Sequence, residues 1–91
     1  MAGPAEVVIE FYGIPRQRAG RAELAVRAAT VGEALAAVER ACPGLAGLVG
    51  SGGRIDAQYL LSVNGRTFAV DGRQALAAGD RILLLSADAG G

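Results

Sequence analysis

"TVGEALAAVERACPG", residues 30–44, is the stretch of this chain that reads as a helix, and the segments around it read as strands and turns. Thr30 and Glu33 stand in T-x-x-E spacing, the capping box that marks a helix start. Val31, Leu35, Val38 and Cys42 recur at i, i+4, i+7 and i+11, so they form one apolar stripe, while Glu39 and Arg40 lie off it. Pro43 has no backbone N–H and Gly44 accepts a left-handed conformation, so Pro43-Gly44 ends the helix.

Toward the N-terminus, Val7-Val8-Ile9-Glu10-Phe11-Tyr12 alternates loosely and is rich in β-branched and aromatic residues, which predicts a first strand with Val7, Ile9 and Phe11 on one face. "GIPRQRAGR", residues 13–21, carries Gly13, Pro15 and Gly20 as breakers and is expected to be a loop. "AELAVR", residues 22–27, alternates Leu24 and Val26 with small or polar neighbours and predicts a second strand paired back on the first.

Toward the C-terminus, residues 45–58 read as an irregular connector loosened by Gly50, Gly52 and Gly53. In "YLLSVNGRTFAVDG", residues 59–72, two strand-like runs flank Asn64-Gly65, the dipeptide that favours a type I′ hairpin turn. Residues 73–80 suggest a short turn or 3₁₀ piece, and "RILLLSA", residues 81–87, a last strand. The order β-β-α-β-β-β, without repeats or a linker, implies a single α+β domain over residues 1–91 in which one helix covers one mixed sheet. If the first and last strands pair in parallel at the centre, the fold is the ubiquitin-like β-grasp.

The 91 residues are 52% hydrophobic and 20% charged, a globular composition near the lower size limit for a single core. No apolar run approaches the roughly 20 residues of a membrane span. The opening "MAGPAEVVIEF" lacks the basic and apolar regions of a signal peptide, so a cytoplasmic location is expected. Nine basic residues balance nine acidic ones, which leaves no global field to recruit nucleic acid or an anionic membrane. All nine basic residues are arginine, so the chain offers no lysine for a Schiff base, a P-loop or an isopeptide bond.

Few residues point to chemistry. Cys42 is the one cysteine and there is no histidine, which excludes an internal disulfide and leaves the thiol without its usual base. Its place on the apolar stripe makes it a core residue. "GSGGR", residues 50–54, lacks the pattern and the strand-to-helix setting of a phosphate loop. Arg16, Arg18 and Arg21 cluster in the first connection and read either as a solvated loop or as a grip on an acidic protein. Asp71 and Asp80 each adjoin a glycine, which is ordinary turn chemistry, and neither they nor Asp88 have metal or acid–base spacing. No metal site is expected, and no bound cofactor.

The remaining feature is the tail, Ala87 to Gly91, which finishes on Gly90-Gly91. Five extended residues reach up to about 17 Å, and glycines without a Cβ can thread a channel too narrow for any other residue. A carboxylate at that end would be unhindered and far from its own fold. On the last strand Ile82 and Leu84 face one side and Leu83 and Leu85 the other, so one pair is left for a partner or for solvent, and Leu60 and Phe68 can join it. Alternation alone does not say which pair is buried.

In this order, Phe11 in the opening strand, "AGR", "ATVGEALAAVERACPGL", "VNG", "AAGDRILLL" and the closing "GG" make the chain resemble the ubiquitin-like sulfur carrier proteins of the MoaD/ThiS family over nearly its whole length. The helix exit "CPGL" and the length bring it closest to the molybdopterin synthase small-subunit branch. The resemblance implies a β-grasp fold and a protein that serves as a cosubstrate, or as the small subunit of a sulfur-transferase complex. It implies that an E1-like adenylyltransferase of the MoeB/ThiF type uses ATP to activate the carboxylate of Gly91. A sulfur donor then converts it to a thiocarboxylate, which an acceptor synthase subunit of the MoaE or ThiG type consumes in cofactor biosynthesis, molybdopterin first. Gly90 would be the threading neighbour, with partner contacts at Leu60, Phe68, Leu83, Leu85, Asp88 and Ala89. The alternatives are a carrier for thiamin, cysteine or thio-natural-product synthesis, and a β-grasp module that binds a partner without covalent chemistry.

Overall fold

A computed structural model describes residues 3–49, 54–69 and 71–87. Its elements are β1 (Ala5–Phe11), α1 (Ile14–Ala19), β2 (Glu23–Ala28), α2 (Val31–Ala41), a 3₁₀ turn (Pro43–Leu45), β3 (Tyr59–Val63), β4 (Thr67–Ala69) and β5 (Arg81–Ser86). The strands form a five-stranded sheet in the order β2-β1-β5-β3-β4. β1 and β5 pair in parallel at the centre and the remaining neighbours are antiparallel. This is the β-grasp arrangement that the sequence predicts.

The register settles which leucines are inside. Ile9 lies opposite Ile82 and Phe11 opposite Leu84, so the β-branched and aromatic face of β1 selects the even-numbered residues of β5 for the core. Ile82 and Leu84 are wholly buried, as are Val31, Ala34, Leu35 and Val38 of α2, which covers this face. Each such large aliphatic side chain stabilises the fold by about 1.5–3 kcal/mol relative to exposure. Leu83 and Leu85 remain half-buried on the opposite, open face.

α2 starts where its capping box places it. The Glu33 N–H donates to Thr30 Oγ1 at 3.2 Å, and Glu33 Oε1 accepts from the Ala29 N–H at 2.8 Å, one residue further back than the reciprocal box requires. Cys42 is the residue at its C-terminal cap and is 2% exposed, so its thiol belongs to the core. At the hairpin, Asn64 and Gly65 both have positive φ, 56° and 69°, as a type I′ turn needs. Val63 pairs with Thr67, however, so Arg66 is a third loop residue beyond the two that the dipeptide predicts. Residues 73–80 are a succession of turns, with bonds from Gln74 N to Asp71 O and from Asp80 N to Ala77 O, and contain no 3₁₀ helix.

Residues 13–21 depart from expectation. They contain the short helix α1, because the supposed breakers bracket it rather than interrupt it. Pro15 stands in the first turn, where its missing N–H is not needed. Gly20, at φ 74°, closes the other end with its N–H on Arg16 O. A Cβ on Gly44 would collide with the Arg18 carbonyl oxygen, so the 3₁₀ turn after α2 packs directly on the backbone of α1.

Candidate functional site

Parallel pairing brings the ends of β1 and β5 to the same end of the sheet, so α1 begins at the end of the sheet where β5 finishes with Ser86. Ser86 lies opposite Tyr59, and the Ala87 N–H donates to Gln58 O at 2.8 Å. These pairings fix the root of the tail. Asp88, Ala89, Gly90 and Gly91, four of the residues singled out in the sequence, lie outside the described residues.

The open face at this end is apolar. Leu60 pairs with Leu85, and Leu83 with Ser62, so Leu60, Leu83 and Leu85 share that face as the alternation allows. Leu60 is 42% exposed, while Leu83 and Leu85 are half-buried. Phe68 lies opposite Ser62 in the β3–β4 ladder. The structure adds Tyr12, whose N–H donates to Leu84 O at 3.0 Å and whose side chain is as exposed as that of Leu60. The alternation read from Val7 to Tyr12 already puts Tyr12 on the face opposite Val7, Ile9 and Phe11, a signal that could have added it to the expected contacts. Ile14, also exposed, was hidden by the expectation of a loop.

Toward β2 the same face turns polar. Arg81 donates through Nε to Glu10 and through Nη2 to Glu23 at 3.3 Å, and the Tyr12 hydroxyl also donates to Glu10. The Tyr12 hydrogen bond, followed by the Arg81 one, holds the Glu10 carboxyl below the ordinary carboxylate range. The same contacts push the Tyr12 phenol and the Arg81 guanidinium upward, in each case chiefly through the bond to Glu10. The open face is therefore divided into an apolar half around β5 and β3 and a charged half around β1 and β2, where Arg81 pairs with Glu10 and Glu23.

The arginines of residues 13–21 part company. Arg18 donates through Nη1 to Tyr59 Oη at 2.5 Å and to Gln58 Oε1 at 3.3 Å, and its guanidinium lies 6.0 Å from the centre of the Tyr59 ring. Arg16 and Arg21 line a shallow hollow with Gly13, Gln17 and Gly20. Among the described residues no cluster of histidine, cysteine, aspartate or glutamate could hold a metal ion, and no helix is long and apolar enough to cross a membrane. With Cys42 sealed in the core, the described surface at this end offers an apolar face beside the end of β5.

No protein-family model matches the chain, and no curated protein does. Solved structures do. The crystal structure of small archaeal modifier protein 1 from Haloferax volcanii is 30% identical, covers 96% of this chain and 100% of that one, and superposes with a TM-score of 0.79. The protein of the same name from Methanosarcina acetivorans is 21% identical, with coverages of 98% and 99% and a TM-score of 0.81. A Pyrococcus furiosus protein provisionally described as molybdopterin converting factor subunit 1 is 24% identical, with coverages of 90% and 97% and a TM-score of 0.73.

Proposed function

Because the chain belongs to the MoaD/ThiS-like ubiquitin-like family, we propose that it is a sulfur carrier whose working group is the carboxylate of Gly91. The observation that supports this reading is the placement of the tail's root. Ser86 at the end of the central strand β5, and Ala87 just past it, lie beside exposed Tyr12 and Leu60 and half-buried Leu85. A partner that docks there receives the tail at the same time.

The chemistry needs a partner because a carboxylate is a poor electrophile. In the adenylating enzyme, a Gly91 carboxylate oxygen attacks the α-phosphorus of ATP, the bond to the β-phosphate breaks, and pyrophosphate leaves an acyl-adenylate. Sulfide then attacks the acyl carbon and AMP departs with the C–O bond electrons, giving the thiocarboxylate. A persulfide donor gives an acyl disulfide first, and a thiol reduces it to the same product. Docking supplies proximity and orientation, which account for most of what the carrier itself contributes. The acceptor we favour is the molybdopterin precursor, delivered through a synthase subunit.

Small archaeal modifier proteins among the similar structures favour a second reading. There the acyl-adenylate carbon is attacked by an amine of another protein, AMP leaves and an amide forms. That amine cannot be a lysine of a second copy, because the chain has none.

Intact-mass spectrometry after incubation with an adenylating enzyme, ATP and a sulfur donor separates the readings. Exchange of one oxygen for sulfur at Gly91 supports the carrier. Amide-linked adducts without that exchange support the modifier. The unmodified mass alone, with an enzyme active on another substrate, sinks both.

A further inference from the structure

We propose that Arg18 is a positioning residue for the tail, acting through the Gln58–Tyr59 segment. The C-terminal root is held by main-chain pairing to those residues, with Ser86 opposite Tyr59 and the Ala87 N–H on Gln58 O. Arg18 grips the same two residues through their side chains, with Nη1 shared between Tyr59 Oη and Gln58 Oε1 and the guanidinium near the Tyr59 ring. Tyr59 is itself 6% exposed, so its hydroxyl is an anchored rather than a wandering acceptor.

The other end of this brace is equally fixed. A Cβ at Gly44 would collide with the Arg18 carbonyl oxygen, so the backbone that carries the guanidinium is set against the turn that follows α2. A rigid chain of contacts therefore runs from the core helix through Arg18 to the strand start on which the tail hangs. Among the described residues, the side chain of Arg18 bonds Gln58 and Tyr59. Its effect is on Ser86 and Ala87, the root from which the chain runs on to Gly91, and so on the orientation in which a partner receives that chain.

The consequence for activation rests on the function proposed above, whereas the consequence for the tail root does not. The experiment therefore has two arms, both on the full chain. In the first, amide exchange is followed at Ala87 and at Val8, whose N–H bonds Asp80 O at the far end of the sheet and reports opening elsewhere. Arg18→Ala is expected to speed exchange at Ala87 by about tenfold and to leave Val8 unchanged, with Arg18→Lys intermediate. Tyr59→Phe, which removes only the hydroxyl, should speed Ala87 in the same sense, and the double variant should add little to the larger single effect.

In the second arm, adenylation kinetics are measured. Arg18→Ala should lower kcat by about fivefold with the KM for the chain unchanged, because docking is intact and fewer docked tails are aligned. An unchanged Ala87 exchange, acceleration at Val8 equal to that at Ala87, or an effect confined to KM overturns the positioning role. Absence of adenylation in the parent chain sinks the proposed function instead, and the exchange arm alone then decides Arg18.

Discussion

Arg81, at the start of β5, is held from several sides, whereas Ala87, just past its end, is held through a main-chain bond to Gln58. Around Arg81 the Asn64 side chain accepts from the Arg81 N–H at 2.8 Å, the Asn64 N–H donates to Arg81 O at 2.7 Å, and the side chain reaches Glu10 and Glu23. Asp80 adds bonds from Ala77 N at 2.8 Å and from Asn64 Nδ2 at 3.0 Å. The far end of the strand thus locks the register of the sheet. Among the described residues the exit end carries the exposed apolar side chains of Tyr12 and Leu60 and the Arg18 brace on Gln58 and Tyr59. One strand thus locks the register at one end and, in the function proposed, meets a partner at the other.

The sharpest way to break that division is to delete Gly91. Adenylation is expected to fall to background while the thermal transition of the fold stays where it was, and retained adenylation would remove the tail from the mechanism. Next come the two parities of β5. Leu84→Ala should cost about 2–5 kcal/mol in denaturant titrations, because it opens a cavity in a fully buried site. Leu85→Glu should change stability by less than about 1 kcal/mol yet raise the KM for the adenylating enzyme at least roughly tenfold. Equal stability losses from both would mean that the open face is not a docking face.

Smaller effects test the supports of each end. Gly44→Ala forces a collision with the Arg18 carbonyl and should destabilise by about 1–3 kcal/mol, measured by thermal or chemical unfolding. At the start of β5, the Ala77 N–H and then the Asn64 amide hold the Asp80 carboxyl below the ordinary range. The folded chain therefore releases this proton more readily than the unfolded one. The bonds contribute fully above the unfolded value and are lost as pH falls through the lowered folded value, on the acid side of about 4. Stability should decline there, and Asp80→Asn should make the decline shallower. An identical slope in the variant would place the acid sensitivity elsewhere, with Glu10 the next carboxylate to test.

Much of this was legible in the sequence because it depends on near neighbours. The Thr30 cap, the stripe of α2 and the positive φ of Asn64-Gly65 depend on nearby residues and form where the spacing puts them, with Glu33 bonding one residue further back and the hairpin loop one residue longer than expected. α1 was not legible, because six residues that include a proline and lie between two glycines look like a run of breakers until the flanking strands fix the ends. Nor was the parity of β5, where both alternations are aliphatic. It took the pairing of Ile9 with Ile82 and of Phe11 with Leu84, about seventy residues apart in the chain, to decide it. The Arg18–Tyr59 contact has the same long-range character, so the arginine cluster could be noticed but its members could not be told apart.

The parallel pairing of β1 with β5 also determines how the molecule responds to force. Pulling the chain by its two ends draws these adjacent central strands in opposite directions along their length, so the ladder between them is loaded in shear. Its bonds from Val8–Arg81 to Phe11–Leu84 then share the load and must fail together, instead of opening one after another as a peeled hairpin does. Forced unfolding is governed by the rate of crossing that barrier and not by the equilibrium stability. A domain of this size should therefore be mechanically tougher along its own axis than its small core suggests, and it should yield more readily when pulled through β4 at the edge of the sheet.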